Sequence, residues 1–174
     1  GKGCDDIDAI FMKRGRQGSK LCTEGISMAD VYDRQLPGLS PHLSVSNATA
    51  AIEFYKNAFD AVEVTRHMAP DGVRIMHAAL LINGAPVMLS DDFREYSGGK
   101  GSSPAALGGT PVVLHLQMAD ADSFFNKAVA AGAEVKMPLA DHFCCDRYGQ
   151  LQDQSGPLWW VRASWATGRP GLWT

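Results

Sequence analysis

The stretch SPHLSVSNATAAIEFYKNAFDAV, residues 40–62, decides the fold. Apolar residues alternate over residues 41–46, which predicts a strand, and Asn47 follows as the predicted N-cap of a helix. Apolar side chains then recur at helical spacing, at Ala48, Ala51, Ile52, Tyr55 and Phe59. The segment therefore predicts one strand that leads directly into one amphipathic helix.

Three more strands are predicted after this helix, over residues 61–68, 73–82 and 85–91. They are separated by Pro70-Asp71-Gly72 and by Asn83-Gly84, sequences that favour tight turns. Residues 40–92 are therefore predicted to form a βαβββ module. Residues 93–110 are rich in Gly, Ser and Pro, lack apolar periodicity, and are predicted to be a linker.

The same order begins again in PVVLHLQMADADSFFNKAVAAGAEV, residues 111–135. A strand is predicted over 112–118, with Asp120 as the helix N-cap and Gly132 as the helix stop. His42 and His115 each stand five residues before their N-cap. Further strands over 133–137, 141–151 and 158–163 complete a second module, residues 111–163. The sequence therefore predicts an α+β fold of two tandem βαβββ modules.

Composition limits the class of protein. The 174-residue chain is 45% hydrophobic and 20% charged, as is usual for a soluble globular domain. Its net charge of -3 offers no basic stripe for nucleic acid. No apolar run reaches the ~20 residues of a membrane span, so we expect a cytoplasmic protein with no membrane partner. Residues 1–39 are predicted to be an N-terminal extension, and residues 164–174 a C-terminal tail.

Four short runs resemble the PhnB-like branch of the vicinal-oxygen-chelate superfamily, the glyoxalase, bleomycin-resistance and dioxygenase superfamily. They are AIEFYKNAF (51–59), IMHA (75–78), LGGTP (107–111) and DRYG (146–149). The resemblance covers roughly residues 40–163. It implies a curved eight-stranded mixed sheet that forms a cup for a small molecule, with the helices outside, and a homodimer. The superfamily includes metal-dependent isomerases, lyases and dioxygenases as well as metal-free drug-binding proteins, so the fold alone does not specify the chemistry.

The resemblance also implies where a metal would lie. In metal-dependent members the first and last strands of each module each supply one ligand, typically His, Gln or Glu. The matching positions here are Ser40, Met88, Val113 and Trp160. Serine is a weak ligand, methionine suits soft copper, and valine and tryptophan side chains do not coordinate metals. We therefore expect no metal and no other cofactor at these four positions.

Alternation along the strands predicts which side chains face the cup. With Leu43 and Val45 turned towards the helix, His42 faces the cup, and the same reasoning places His115 there. Of the adjacent Trp159 and Trp160, one should enter the cup and the other should pack under the helices. Arg147 is a candidate for holding an anionic group of the ligand. The predicted ligand-binding residues are Ser40, Ser44, Met88, Ser90, Val113, Gln117, Arg147 and Trp160.

Three functions remain open. The first is a metal-free protein that sequesters an aromatic or antibiotic-like molecule. The unsuitable side chains at the four metal-ligand positions favour it. The second is a lyase, isomerase or dioxygenase in which His42 and His115 are catalytic acid/base groups. In that case the two histidines could instead hold a displaced divalent metal, completed by Asp91, His77 or Glu53. The third is a non-catalytic dimeric module. His142 with Cys144 forms a further potential soft-metal pair, although buried thiols are the simpler interpretation.

Overall fold

The structure, a computed structural model, describes residues 39–142 and 146–164. Each module follows the order strand, helix, three strands. The N-terminal module comprises β1 (His42–Val45), α1 (Ala48–Phe59), β2 (Val62–Met68), β3 (Ile75–Ile82) and β4 (Ala85–Asp91). A 3₁₀ helix (Arg94–Tyr96) and the short helix α2 (Pro104–Leu107) follow. The C-terminal module comprises β5 (Val113–Met118), α3 (Ala121–Ala130), β6 (Glu134–His142), β7 (Asp146–Gln152) and β8 (Leu158–Ser164). The predicted extension at residues 1–38 and the tail at 165–174 lie outside the described residues.

The strands hydrogen-bond as two four-stranded sheets with the same topology. The N-terminal sheet has the order β1-β4-β3-β2 and the C-terminal sheet the order β5-β8-β7-β6. In each sheet the first two strands of that order run parallel and the other pairs antiparallel, so both sheets are mixed. The predicted α+β fold of two tandem βαβββ modules is confirmed, and neither sheet closes on itself, as a cup requires.

Local sequence signals account for the element boundaries. The side chain of Asn47 accepts a hydrogen bond from the Ala50 N–H at 3.0 Å and caps α1. Asp120 does the same for α3 through the Ser123 N–H at 3.0 Å. The turn between β3 and β4 has positive φ at both Asn83 (49°) and Gly84 (75°), the backbone that an Asn-Gly hairpin turn favours.

The core lies between the two helices and the sheet faces that the helices cover. Its largest fully buried side chain is that of Trp159 on β8, whose ring packs against those of Tyr55 and Phe59 on α1. The Tyr55 hydroxyl and the Trp159 indole N–H donate to Asp153 Oδ2, at 2.9 and 2.8 Å. One buried carboxylate therefore joins the helix of the first module to the last strand of the second.

Two predicted boundaries are wrong. The strand predicted over 133–137 continues to His142, and the following strand begins at Asp146 rather than near 141. Pro138 is tolerated inside β6 because β6 is an edge strand with a register shift between Met137 and Ala140. Gly149 lies opposite this irregularity, and a Cβ there would come within 2.9 Å of the Leu139 backbone.

The segment predicted to be a linker contains regular structure and is anchored to the N-terminal module. Asp92 Oδ1 accepts from the Ser102 N–H at 2.8 Å, and Asp92 Oδ2 accepts from the Ser103 hydroxyl at 2.7 Å. A Cβ at Gly101 would lie 2.6 Å from that carboxylate. Absence of apolar periodicity therefore did not indicate a free linker, because polar contacts hold the segment.

Candidate functional site

The face of each sheet that points away from α1 and α3 is called its open face here. On the N-terminal sheet, Val87 and Leu89 enter the core, so Met88 and Ser90 between them belong to the open face. The strand register pairs Met88 with His42 and Ser90 with Ser44. Ser40 precedes β1, and its buried hydroxyl has no hydrogen-bond partner. The structure therefore brings together the predicted residues of this module.

Three imidazoles, His42, His77 and His67, form a row across this open face, called the histidine row. The ring centroids of His42 and His77 are 5.7 Å apart, and those of His77 and His67 are 6.2 Å apart. Burial, followed by the neighbouring His42 and His67, lowers the pKa of His77. Sequence reasoning missed His67. The pairing of His67 with His77 depends on the register of β2 against β3, which the local sequence pattern did not specify.

The open face of the C-terminal sheet carries a continuous set of rings, called the aromatic platform. It consists of His115, Trp160, Tyr148 and His142. Trp160 lies 6.4 Å from His115 and 6.1 Å from Tyr148, and His142 lies 4.0 Å from Tyr148, between ring centroids. Trp160 is 41% exposed whereas Trp159 is 1% exposed, so adjacent tryptophans occupy opposite faces as predicted. Sequence reasoning did not assign Tyr148 to the site.

Val113 and Gln117 flank this platform. In β5 the core takes Leu116 and Met118, which leaves Val113, His115 and Gln117 on the open face. The register places His115 beside Trp160 and Val113 beside Leu158. The predicted ligand-binding residues of the second module, with one exception, therefore share one surface.

Arg147 is the exception. Its guanidinium donates to both carboxylate oxygens of Asp122, at 2.6 Å each, and to Asp141 at 3.0 Å. These ion pairs raise the pKa of Arg147. Arg147 adjoins Tyr148 on β7, and alternation turns it to the helix side, where Asp122 lies on α3. The prediction that Arg147 binds the ligand is therefore corrected. Arg147 instead joins α3 to the sheet.

His42 and His115 occupy equivalent positions in different sheets, and each has its own ring neighbour, His77 or Trp160. Asp91 does not complete a site with them, because its carboxylate accepts from the Ala48 and Ile75 N–H groups at 2.8 and 2.6 Å. Glu53 lies on the helix surface and pairs with Lys56. The contacts that the structure shows therefore give no support to the displaced metal site.

The four family metal positions offer poor donors. Ser40 has a single hydroxyl, Met88 a thioether, and Val113 and Trp160 no suitable lone pair. These residues do not fit a divalent metal. Over residues 39–142 and 146–164, no group of three or more His, Cys, Asp or Glu side chains is arranged to hold a metal ion. Cys144, the proposed partner of His142, lies outside the described residues.

Several proteins of known structure have the same fold. TioX from Micromonospora sp. ML1 matches with a TM-score of 0.58 and 25% identity, over 73% of this chain and 98% of that chain. A putative 3-demethylubiquinone-9 3-methyltransferase, PhnB protein, from Bacillus cereus gives 0.58 and 20%, over 74% and 100%. The fosfomycin resistance protein FosX from Listeria monocytogenes, in complex with Mn(II) and sulfate, gives 0.53 and 19%, over 75% and 94%. The last two show the fold alone.

Sequence comparison identifies the family. Residues 39–161 match the profile of the Glyoxalase/Bleomycin resistance protein/Dioxygenase superfamily, and the chain belongs to that superfamily. An uncharacterised protein of Mycobacterium bovis is 51% identical over 123 residues, which are 71% of this chain and 80% of that protein. An uncharacterised protein of Mycobacterium tuberculosis H37Rv is equally similar over 72% of its length. No helix among the described residues is long and apolar enough to cross a membrane.

Proposed function

We propose that this chain binds a small planar molecule, aromatic or antibiotic-like, without a metal at the four family positions. The exposed ring of Trp160 carries this proposal. A tryptophan that is 41% exposed on an open sheet face, with His115 and Tyr148 beside it, offers a large stacking surface. Aromatic rings stack with energies of about 0.5–1.5 kcal/mol beyond the area that they bury. A planar ligand is therefore the class that this surface fits.

The groups around the platform suit a binding pocket more than a metal centre. Gln117 supplies an amide and Val113 an apolar contact on the same open face. Ligand pockets typically combine apolar and aromatic walls with a few polar groups that orient the ligand. Ser90 supplies such a polar group on the open face of the N-terminal sheet, beside Ser44, whose hydroxyl already contacts that of Ser102.

Matched planar and saturated probes test the proposal. Isothermal titration calorimetry would compare 2-naphthamide with its fully saturated decalin analogue. We expect the planar probe to bind more tightly, and Trp160→Ala to weaken it by about 1–2 kcal/mol, since a stacked ring is worth about that much. Trp160→Phe should retain most of the affinity. Val129→Ala, at an exposed apolar position on α3, serves as the control. Equal binding of both probes, unaffected by Trp160→Ala, would contradict the proposal.

The metal-free part has its own test. Metal content would be measured by mass spectrometry before and after incubation with nickel, zinc, manganese and iron(II), in the wild type and in His42→Ala/His115→Ala. We expect no stoichiometric metal in either protein, because the residues at the four family metal positions lack suitable donor atoms. Stoichiometric metal that the double variant loses would overturn the metal-free proposal and favour lyase or dioxygenase chemistry.

Proton transfer by His42 and His77 is a second candidate function. Their rings are 5.7 Å apart, and the lowered pKa of His77 leaves its imidazole neutral and able to accept a proton at neutral pH. In this form the enzyme hypothesis uses His77 in place of His115. The test is proton NMR of α-hydroxycarbonyl compounds in D₂O. Deuterium incorporation that His77→Gln abolishes would support catalysis, and its absence would leave the binding function.

We also propose that the chain is a cytoplasmic homodimer of the PhnB-like branch. The family resemblance supports this, and exposed apolar side chains on the edge strands, such as Val62 and Met68 on β2 and Val135 on β6, suit a subunit contact. Sedimentation equilibrium of the full chain should give twice the monomer mass. A monomer at micromolar concentration would contradict the proposed dimer.

A further inference from the structure

The open face of the N-terminal sheet has an unusual inventory of side chains. Over the described residues, its only titratable groups are the imidazoles of His42, His67 and His77. The remaining members are small, apolar or hydroxylated, namely Ser44, Val62, Thr65, Ala79, Leu81, Pro86, Met88 and Ser90. Hydrogen-bond donors are therefore plentiful on this face. A carboxylate is linked to it at one end, because the Ser44 hydroxyl lies 2.8 Å from that of Ser102, which donates to Asp92.

Carboxylates on the neighbouring elements are turned away or already bound. Asp91 on β4 accepts backbone N–H groups on the helix side of the sheet. Glu63 on β2 pairs with Lys56 and Arg66, at 2.7 and 2.6 Å. Asp92 accepts hydrogen bonds from Ser102 and Ser103. None of these three acids forms a contact with the histidine row that would neutralise a charge there.

The ring nitrogens of the histidine row are not used within the described part of the chain. His42, His67 and His77 form ring contacts with one another and no hydrogen bond or ion pair. His42 and His67 are exposed and His77 is half-buried, so the nitrogens can be reached from solvent. Three adjacent imidazoles that have no protein partner and are open to solvent can all donate hydrogen bonds to one bound group.

We propose that the histidine row binds an oxyanion of the ligand, a carboxylate or a phosphate. This inference rests on the proposed function and adds an acidic group to the planar ligand. A neutral imidazole donates one hydrogen bond, and a protonated imidazole donates two and carries a positive charge. An anion that contacts the row favours the protonated form of the imidazoles that it contacts. Binding of the anion is therefore coupled to uptake of protons.

The experiment uses three naphthalene probes and the full chain. Calorimetry would compare 2-naphthoate and 2-naphthyl phosphate with the neutral 2-naphthamide, so that the ring is constant and only the acidic group changes. We expect an anionic probe to bind about tenfold more tightly than the amide near pH 6, because charge-assisted hydrogen bonds are stronger than neutral ones. This preference should decrease as the pH rises towards about 8, since imidazoles lose their proton over that range. Comparison of the two anions distinguishes a carboxylate from a phosphate ligand.

Two variants test whether the histidine row causes the preference for an anionic probe. His42→Gln/His77→Gln should abolish the preference for the anion and retain the affinity for the amide. Lys136→Gln removes a positive charge from β6 in the other sheet and should leave the preference unchanged. A preference that persists in the histidine double variant, or that is absent from the wild type, would overturn the inference. Equal affinity for all three probes would overturn it while leaving the proposed function in place.

If no naphthalene probe binds, that result counts against the proposed aromatic ligand and leaves the oxyanion site to be tested separately. NMR of the histidine rings provides this test. The chain has five histidines, three in the row and two on the platform. Titration with inorganic phosphate should shift the ring signals of His42, His67 and His77 more than those of His115 and His142. Equal shifts at His115 and His142 would show non-specific charge screening and overturn the inference.

Discussion

The two modules share one backbone plan and carry different chemistry on their open faces. His42 in the first module and His115 in the second occupy equivalent strand positions. The register places Met88 beside His42 and Trp160 beside His115. One face therefore presents flexible, small and imidazole side chains, and the other presents an aromatic platform. The repeated architecture fixes where side chains point, whereas the residues at equivalent points determine what each face can bind.

A second difference concerns the buried carboxylates. Asp91 acts within its own module, where it joins the start of α1 to β3 through two backbone N–H groups. Asp153 acts between modules, because its donors are Tyr55 of α1 and Trp159 of β8. The second module therefore contributes both the stacking surface and a buried carboxylate that joins the modules.

Trp159→Ala should cause the largest loss of stability. The side chain is fully buried and packs against Tyr55 and Phe59, so its removal leaves a large cavity in the core shared by the modules. We expect a loss of about 3–5 kcal/mol in the free energy of unfolding. Trp160→Ala, one residue along the same strand, should cost under about 1 kcal/mol, as surface substitutions usually do. Urea unfolding of the two variants measures both values, and similar losses would contradict the assignment of opposite faces.

Asp153→Asn should have the next largest effect. An asparagine offers one acceptor oxygen where the carboxylate accepts from the Tyr55 hydroxyl, the Trp159 indole N–H and the Ser155 N–H. A buried donor left unpaired costs about 1–3 kcal/mol. A double-mutant cycle of Tyr55→Phe with Asp153→Asn should show coupling, and a cycle of Tyr55→Phe with Asp91→Asn should show none. Coupling in the second cycle would contradict the separate roles of the two acids.

The pH dependence of this variant follows from the pKa of Asp153. Burial raises that pKa above its usual value, although hydrogen bonds from Trp159, Tyr55 and Ser155 oppose the shift. The folded state therefore holds the proton more tightly than the unfolded state, in which the pKa of an aspartate side chain is about 3.9. The contribution of this proton to stability is complete below that pH and is lost as the pH rises through the folded pKa. Asp153→Asn should lack this decrease, as thermal unfolding at a series of pH values would show.

The sequence predicted the backbone plan better than the site. Asn47, Asp120 and Asn83-Gly84 carry local signals that depend on their own backbone, and the structure confirms each of them. Alternation correctly separated Trp159 from Trp160 for the same reason. Contacts that depend on strand register or on the placement of a helix could not be deduced from local patterns. The histidine row depends on the register of β2 against β3, and the ion pairs of Arg147 depend on where α3 crosses β7.

Arg147→Gln should separate stability from binding. The ion pairs of Arg147 with Asp122 and Asp141 are partly exposed, so their loss should cost under about 1 kcal/mol. Because Arg147 lies on the helix side of the sheet, the affinity for planar and anionic probes should not change. Calorimetry together with urea unfolding measures both properties. A selective loss of affinity for an anionic probe would show that Arg147 reaches the ligand and would restore its predicted role.

His77→Gln should have the smallest effect, and its sign is specific to the histidine row. Burial and the adjacent His42 and His67 lower the pKa of His77, so the folded state favours the neutral ring more than the unfolded state does. The stability due to this neutral ring is present above the unfolded pKa of about 6.5 and is lost as the pH falls through the lower folded value. His77→Gln should therefore lessen the loss of stability between about pH 6.5 and about pH 5. His115→Gln provides the comparison on the other face. An equal reduction of the acid-induced loss of stability in both variants would contradict this prediction. It would show that the close packing of the imidazoles does not cause the pH dependence, and that the two open faces have the same pH dependence.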